Sequence, residues 1–164
     1  MLSKTFTLCA FLCSGEAAAA SNVCELKDGD DLPVRIQYVE DAPIVVEGHT
    51  THLAKYSIAN VSKKTFRLAT YQGPQPQRAY PMDALLEYRN SAGSWAFDVV
   101  VLDHPQPPDT TLKVRAGETR VFLASGNGGP NGTYRLKVRE PKGCWIPSEP
   151  FQFKGSAESN APAK

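Results

Sequence analysis

Apolar and polar residues alternate with a period of two along most of this chain, and this pattern constrains the fold more than any other feature. It is clear in VRIQY (34–38), KYSI (55–58) and TFRL (65–68). Successive side chains of a β-strand point to opposite faces, so each run predicts a short strand with one face against a core. No run of helical length has apolar residues spaced by three and four. The chain is therefore predicted to be all-β.

Turn signals between the runs predict how the strands are arranged. NSAG and RAGE separate neighbouring runs, and the glycine run GNGGPNG (126–132) leads into the alternating TYRLKVRE. We predict that these glycines supply positive-φ positions in a connection between strands. A single sheet would leave one apolar face in water, so about seven to nine short strands favour an antiparallel β-sandwich. The further strand runs are 84–90, 94–101, 111–114, 119–124, 133–140 and 150–153.

The N-terminus predicts export. MLSK supplies a cationic start, TFTLCAFLC is apolar, and small residues precede a cleavage site after Ala20. The apolar stretch is shorter than the roughly 20 residues that span a bilayer, so no membrane insertion is expected after cleavage. We predict a signal peptide over 1–20, a β-sandwich domain over 21–154 and a disordered tail over 155–164. The mature protein is expected to be periplasmic or secreted.

Two cysteines remain once the predicted leader is removed. Cys9 and Cys13 leave with it, whereas Cys24 and Cys144 stay in the mature chain. An even pair in an exported protein predicts one disulfide, which would hold the N-terminal segment against the body. The alternative, a pair of metal-bound thiolates, lacks the paired C-x-x-C or nearby histidines of a zinc site.

Several segments together resemble a known class of domain. YSIANVSKKTFRL, LLEYRNSAGSW, VRAGETRVFL, NGTYRLKV and SEPFQF look like the immunoglobulin-like or fibronectin-like sandwiches of exported bacterial proteins, over about residues 50–154. The resemblance implies an immunoglobulin-like β-sandwich, with Asn60 and Ser62 at a turn. A more distant likeness, through Gly126 to Gly129, is to small chagasin-like proteinase inhibitors. Such motifs recur in binders, accessory domains and inhibitors, so they imply architecture more than activity.

Charge and motif content argue against several functions. The formal net charge is +1, and Arg35, Arg67 and Arg89 are isolated from one another, which is unlike the basic stripe of a nucleic-acid-binding protein. On a strand, His49 and His52 of HTTH would point to opposite faces, so no metal site is predicted. No G-x-S-x-G elbow is present. We predict no catalytic residue and no cofactor.

Loops at one end of the sandwich are the predicted binding site. If the strands alternate in direction, the connections 39–50, 72–83, 102–110 and 140–149 emerge together, and they carry more ring-bearing residues than those at the other end. Rigid sandwiches place recognition on such loops. The predicted binding residues are Tyr71, Tyr80, His104 and Trp145. Alternatively, Trp145 packs over the Cys24–Cys144 bridge.

These observations favour an exported, non-catalytic binding protein with a protein partner. Inhibition of an enzyme or immunity against a toxin is one form of such a function. The first alternative is an accessory structural domain of a cell-envelope assembly. The second is a small exported hydrolase that depends on His49 or His104. Residue patterns leave the oligomeric state open.

Overall fold

The computed structural model describes residues 24–26, 30–46, 49–97, 106–126, 128–129, 131–141 and 143–154, with only the backbone at 46 and 49. The predicted signal peptide (1–20) and tail (155–164) lie outside the described residues, as does the 98–101 part of one predicted strand. The described residues form strands and one 3-10 helix over Pro81–Asp83. The strands are β1 (Val34–Asp41), β2 (Ile44–Val46), β3 (His49–Thr51), β4 (Leu53–Asn60), β5 (Phe66–Tyr71), β6 (Arg78–Ala79), β7 (Ala84–Arg89), β8 (Trp95–Ala96), β9 (Thr110–Val114), β10 (Thr119–Ser125), β11 (Tyr134–Arg139) and β12 (Trp145–Pro147).

Two main sheets pack against each other. The larger sheet has the order β1-β4-β10-β6-β5-β9, and the smaller has the order β12-β11-β7-β8. β2 and β3 form a separate hairpin. Neighbouring strands are antiparallel, except that β6 and β10 meet at one parallel position. The predicted all-β antiparallel sandwich is confirmed, and seven of the strands have five or more residues.

The core forms where the alternating apolar positions of the two sheets face each other. Large side chains are fully excluded from water on both sides, and each contributes about 1.5–3 kcal/mol of burial free energy. The larger sheet supplies Val34, Ile36, Tyr56, Ile58, Leu68, Val114 and Phe122, and the smaller sheet supplies Leu136 and Val138. The period of two therefore identified the buried face correctly.

The predicted disulfide between Cys24 and Cys144 is confirmed, with the Cα atoms 4.6 Å apart. It holds the N-terminal segment against β12 through the backbone as well. The amide of Trp145 donates to the Cys24 carbonyl, and the amide of Leu26 donates to the Trp145 carbonyl, both at 2.9 Å. Residues 24–26 thus add a short parallel edge to the smaller sheet.

Three details depart from the sequence expectation. The predicted connection 39–50 contains most of the β2–β3 hairpin, and the predicted connection 140–149 contains β12. The predicted strand 150–153 is reduced to a single bridge between Phe151 and Tyr134. Proline 150 has no amide hydrogen to donate, while Phe151 and Phe153 turn toward the core.

The glycine run has a different role from the predicted one. Among the described glycines, a positive φ occurs only at Gly93 and Gly117, in two tight turns. At Gly126 the need is space, because an added Cβ would lie 2.5 Å from the carbonyl carbon of Leu53. The glycine therefore allows the end of β10 to approach the start of β4.

Asn60 occupies the turn that the sequence assigned to it. Its side chain is 2 % exposed. Its Nδ2 donates to the carbonyls of Lys64 and Val114, both at 2.7 Å, and its Oδ1 accepts from the Ser62 amide at 2.9 Å. These bonds tie together the ends of β4, β5 and β9.

Candidate functional site

An open cleft of about 570 Å³ lies between the two sheets. The larger sheet contributes Leu53, Ala79 and Ala124 to its lining, and the smaller sheet contributes Ala84, Leu86 and Tyr88. The three alanines are each at most 5 % exposed. Their small side chains leave room that leucine or valine at the same positions would occupy.

Exposed apolar side chains extend the lining to the rim of the cleft. Phe97 is 55 % exposed and Met82 is 45 % exposed, and both line the cleft. Met82 lies in the 3-10 helix directly after β6, while Phe97 follows the last residue of β8. Water-exposed apolar residues beside a concave apolar surface are typical of a binding site.

Polar groups are few at this cleft. Thr50, Thr51, His52 and Ser125 line one part of it, and Arg78 lies on the β6 side. The Ser125 carbonyl accepts a hydrogen bond of 2.8 Å from the hydroxyl of Tyr56, which is fully buried. Burial raises the pKa of the Tyr56 hydroxyl well above its ordinary value. This bond anchors the end of β10 at the edge of the cleft.

Two of the predicted binding residues lie together next to the cleft. The rings of Tyr71 and Tyr80 meet edge to face, with centroids 6.1 Å apart. The Arg78 guanidinium lies 5.8 Å from the centroid of the Tyr71 ring. The Tyr71 hydroxyl donates to the carbonyl of Gln106 at 2.9 Å. Partial burial raises the pKa of the Tyr71 hydroxyl, and the charge of Arg78 opposes that shift.

The other two predicted binding residues are placed differently. His104 lies outside the described residues. Trp145 is only 6 % exposed, and in the described part of the chain no ring contact joins it to either tyrosine. The connection between β11 and β12 precedes Trp145. Its residue Glu140 accepts a hydrogen bond of 2.9 Å from the amide of Arg67, near the start of β5, whereas Tyr71 lies at the end of β5. The Trp145 ring instead packs against the side chain of Arg139, whose guanidinium carbon lies 4.6 Å from the ring centroid.

Trp145 belongs to a charged network on the outer face of the smaller sheet, which we call the charge ladder. Its members are Glu25, Asp83, Glu87, Trp95, Arg135, Lys137, Arg139 and Trp145. Glu87 accepts from Arg135 at 2.6 Å and from Lys137 at 2.7 Å. The guanidinium carbon of Arg135 lies 4.7 Å from the Trp95 ring centroid. Every charge of the ladder therefore has a partner within it.

The remaining candidates carry no assembled chemistry among the residues described. His52 lines the cleft, whereas for His49 only the backbone is described. No group of three or more potential metal ligands occurs in the described ranges. In those same ranges no helix has the length and apolarity to cross a bilayer.

Sequence reasoning missed the residues that build the cleft. Phe97 belongs to the predicted strand 94–101, but β8 ends at Ala96 and alternation no longer fixes its direction. The sequence does not indicate that the alanines border a cleft, because a small apolar residue occurs both in a filled core and beside a cleft. Met82 lies in the predicted connection 72–83, and its apolar side chain was the one feature of this residue that could have indicated a binding surface.

Comparisons with known proteins identify no family. No model of a known protein family matches this chain, and no curated protein sequence matches it. Among solved structures, the chain is similar to one titled "X-ray structure of Northeast Structural Genomics Consortium target SoR45". The match has 16 % sequence identity and a TM-score of 0.25, and covers 80 % of this chain and 90 % of the other. A likeness of this degree carries no argument about fold or function.

Proposed function

We propose that this protein is an exported, non-catalytic binding protein that recognises a protein partner through the surface around Tyr71 and Tyr80. Inhibition of an enzyme or immunity against a toxin is the form of binding that a small exported domain of this kind would serve. The predicted leader and the Cys24–Cys144 bridge support export, because disulfides persist in oxidising compartments.

The observation that carries the proposal is the kind of residue gathered at this surface. Tyr71, Tyr80 and Arg78 lie in contact, and Met82 and Phe97 are exposed along the adjoining cleft. Tyrosine, arginine, methionine and phenylalanine are the residues that protein interfaces enrich. The backbone beneath them is anchored, since the Gln72 amide donates to Asp109 at 2.6 Å. Rigid aromatic anchors lose little conformational entropy on binding.

The test is capture of a partner by the mature protein and by a Tyr71→Ala/Tyr80→Ala variant. We expect capture from an envelope extract of the source cell, followed by a measured affinity for the purified partner. The double variant should weaken that affinity by roughly thirtyfold to a thousandfold, because each central aromatic is worth about 2 kcal/mol and about 1.4 kcal/mol is a tenfold change in affinity. Unchanged affinity in the double variant would contradict the proposal.

A matched control is Val61→Ser. Val61 is 53 % exposed and lies neither in the cleft nor in contact with the tyrosines. Its replacement should leave the affinity unaltered. Thermal unfolding of all variants separates lost recognition from lost folding.

A further inference from the structure

The cleft between the sheets has the dimensions of a small-molecule site. Its volume of about 570 Å³ falls within the range of about 300–1,000 Å³ that such sites occupy. Both sheets form its walls, so its shape is set by the rigid part of the fold rather than by one loop. The walls near Ala79, Ala84 and Ala124 are apolar and lie deep between the sheets.

Among the described residues, one acidic side chain borders the cleft, and its charge already has partners. Glu87 borders the cleft, but its carboxylate lies on the outer face of the smaller sheet, where its two oxygens accept from Arg135 and Lys137 of the charge ladder. Two cations hold this carboxylate, so it presents no uncompensated negative charge to an incoming molecule.

Arg78 is the opposite case. Its side chain is exposed, it lines the cleft, and it lies over the Tyr71 ring. Among the described residues, no carboxylate lies within ion-pair distance of its guanidinium. An arginine in this position offers a planar fork of donors that suits a carboxylate. The described part of the cleft therefore combines an apolar interior with Arg78, a cation at its edge that no described carboxylate pairs with.

We propose that this cleft binds a free carboxylic acid with a single apolar chain, of the fatty-acid kind. The chain lies between the sheets against Leu53, Leu86 and the three alanines, and Met82 and Phe97 cover it at the rim. The carboxylate pairs with Arg78. This binding is distinct from recognition of a protein partner at Tyr71 and Tyr80, although Arg78, Met82 and Phe97 border both surfaces.

The experiment measures binding of decanoate and of 1-decanol to the mature protein by isothermal titration calorimetry, below the concentration at which either aggregates. Decanoate should bind saturably at one site. Arg78→Gln should lower the decanoate affinity roughly tenfold, the effect of losing one charge-assisted hydrogen bond. The same variant should leave 1-decanol binding unchanged, because the alcohol has no charge. Arg35→Gln, an exposed cation on β1 away from the cleft, should affect neither ligand.

A second pair of variants tests the apolar walls. Phe97→Ser should weaken decanoate and 1-decanol equally, whereas Val61→Ser should weaken neither. All four substituted side chains are exposed, so folding should be preserved, as thermal unfolding will show. Chemical-shift changes in the methyl groups of Ala79, Ala124 and Leu53 should locate decanoate in the cleft.

Four results would overturn the proposal. The first is the absence of saturable decanoate binding. The second is a decanoate affinity that Arg78→Gln leaves unchanged. The third is a set of chemical-shift changes on decanoate binding that map away from the cleft. The fourth is binding in the cleft by an apolar peptide with a free C-terminus but not by decanoate, which would make the cleft a peptide site. None of these results bears on the tyrosine test, because Tyr71 and Tyr80 do not line the cleft.

Discussion

The two faces of the smaller sheet differ in how their side chains are paired. One face carries the charge ladder, and the other borders the cleft. On β7, Leu86 faces the cleft and remains half-buried, while its neighbour Glu87 faces outward and is only 4 % exposed. On the outer face the acidic side chains, the cations and the indole rings of the charge ladder interact with one another. The inner face borders the cleft, where Phe97 is exposed and no carboxylate among the described residues pairs with Arg78.

The difference separates a structural region from a candidate binding region. A buried charge is costly unless it is paired and hydrogen-bonded, and the ladder meets this condition with its own residues. The cleft has apolar surface and a cation that the described residues do not satisfy. Only the second arrangement gains free energy from a ligand.

Removal of the disulfide should have the largest effect on the free energy of unfolding. The disulfide lies beside the charge ladder, on the side of the molecule that includes β12. Replacing Cys24 and Cys144 with serine should lower the free energy of unfolding by about 2–5 kcal/mol, because the bridge closes a long loop in the unfolded chain. It should also free Glu25 from Arg135 and Lys137. Urea unfolding gives the stability change. Hydrogen exchange should show greater loss of protection in β12 than in β10, and equal loss would contradict the link to the ladder.

The neighbouring positions on β7 give a direct test of the comparison. Glu87→Ala should destabilise by about 3 kcal/mol, because it leaves two partly buried cations with only Glu25 as a partner. Leu86→Ala should cost about 1–2 kcal/mol, less than a fully buried leucine, because its side chain already contacts water at the cleft. Urea unfolding compares the two. The reverse order would show that the ladder is no more than an exposed surface network.

Substitution of Tyr56 should have the smallest effect on the free energy of unfolding, and this residue should also make that free energy depend on pH. Tyr56→Phe should cost about 1 kcal/mol through loss of the bond to the Ser125 carbonyl. Burial raises the folded-state pKa of this hydroxyl above its ordinary value of about 10, so its contribution to stability is present below pH 10 and falls as the pH rises further. The wild-type protein should therefore lose more stability than the variant between pH 9 and 11. Parallel profiles would exclude this residue as the source.

Much of the fold was predictable because it depends on local patterns. Alternation in 34–38, 55–58 and 65–68 identified strands and their buried faces, and the cysteine pair identified the bridge. β12 was missed because WIP has too few residues to show a period. The β2–β3 hairpin was missed because EG and HTT were read as parts of a loop and a histidine motif.

The candidate site was predictable only in part. Aromatic loop residues drew attention to Tyr71 and Tyr80, and these do lie together. The same criterion selected Trp145, which is equally aromatic but is buried against Arg139, at 4.6 Å from the guanidinium carbon to the ring centroid. Residue type alone cannot distinguish an aromatic anchor from an aromatic side chain that packs under a cation.

The sequence by itself determined that this chain forms short antiparallel strands with one buried face, closed by a bridge from Cys24 to Cys144. These properties follow from side-chain alternation and cysteine number, which are visible along one strand or at two positions. Only the tertiary structure decided that Glu87 would be paired, that Arg78 would have no carboxylate partner among the described residues, and that three alanines would border an open cleft. Those outcomes depend on which residues of strands distant in sequence face one another. The alternation of residues along one strand does not specify the distances between side chains on different strands.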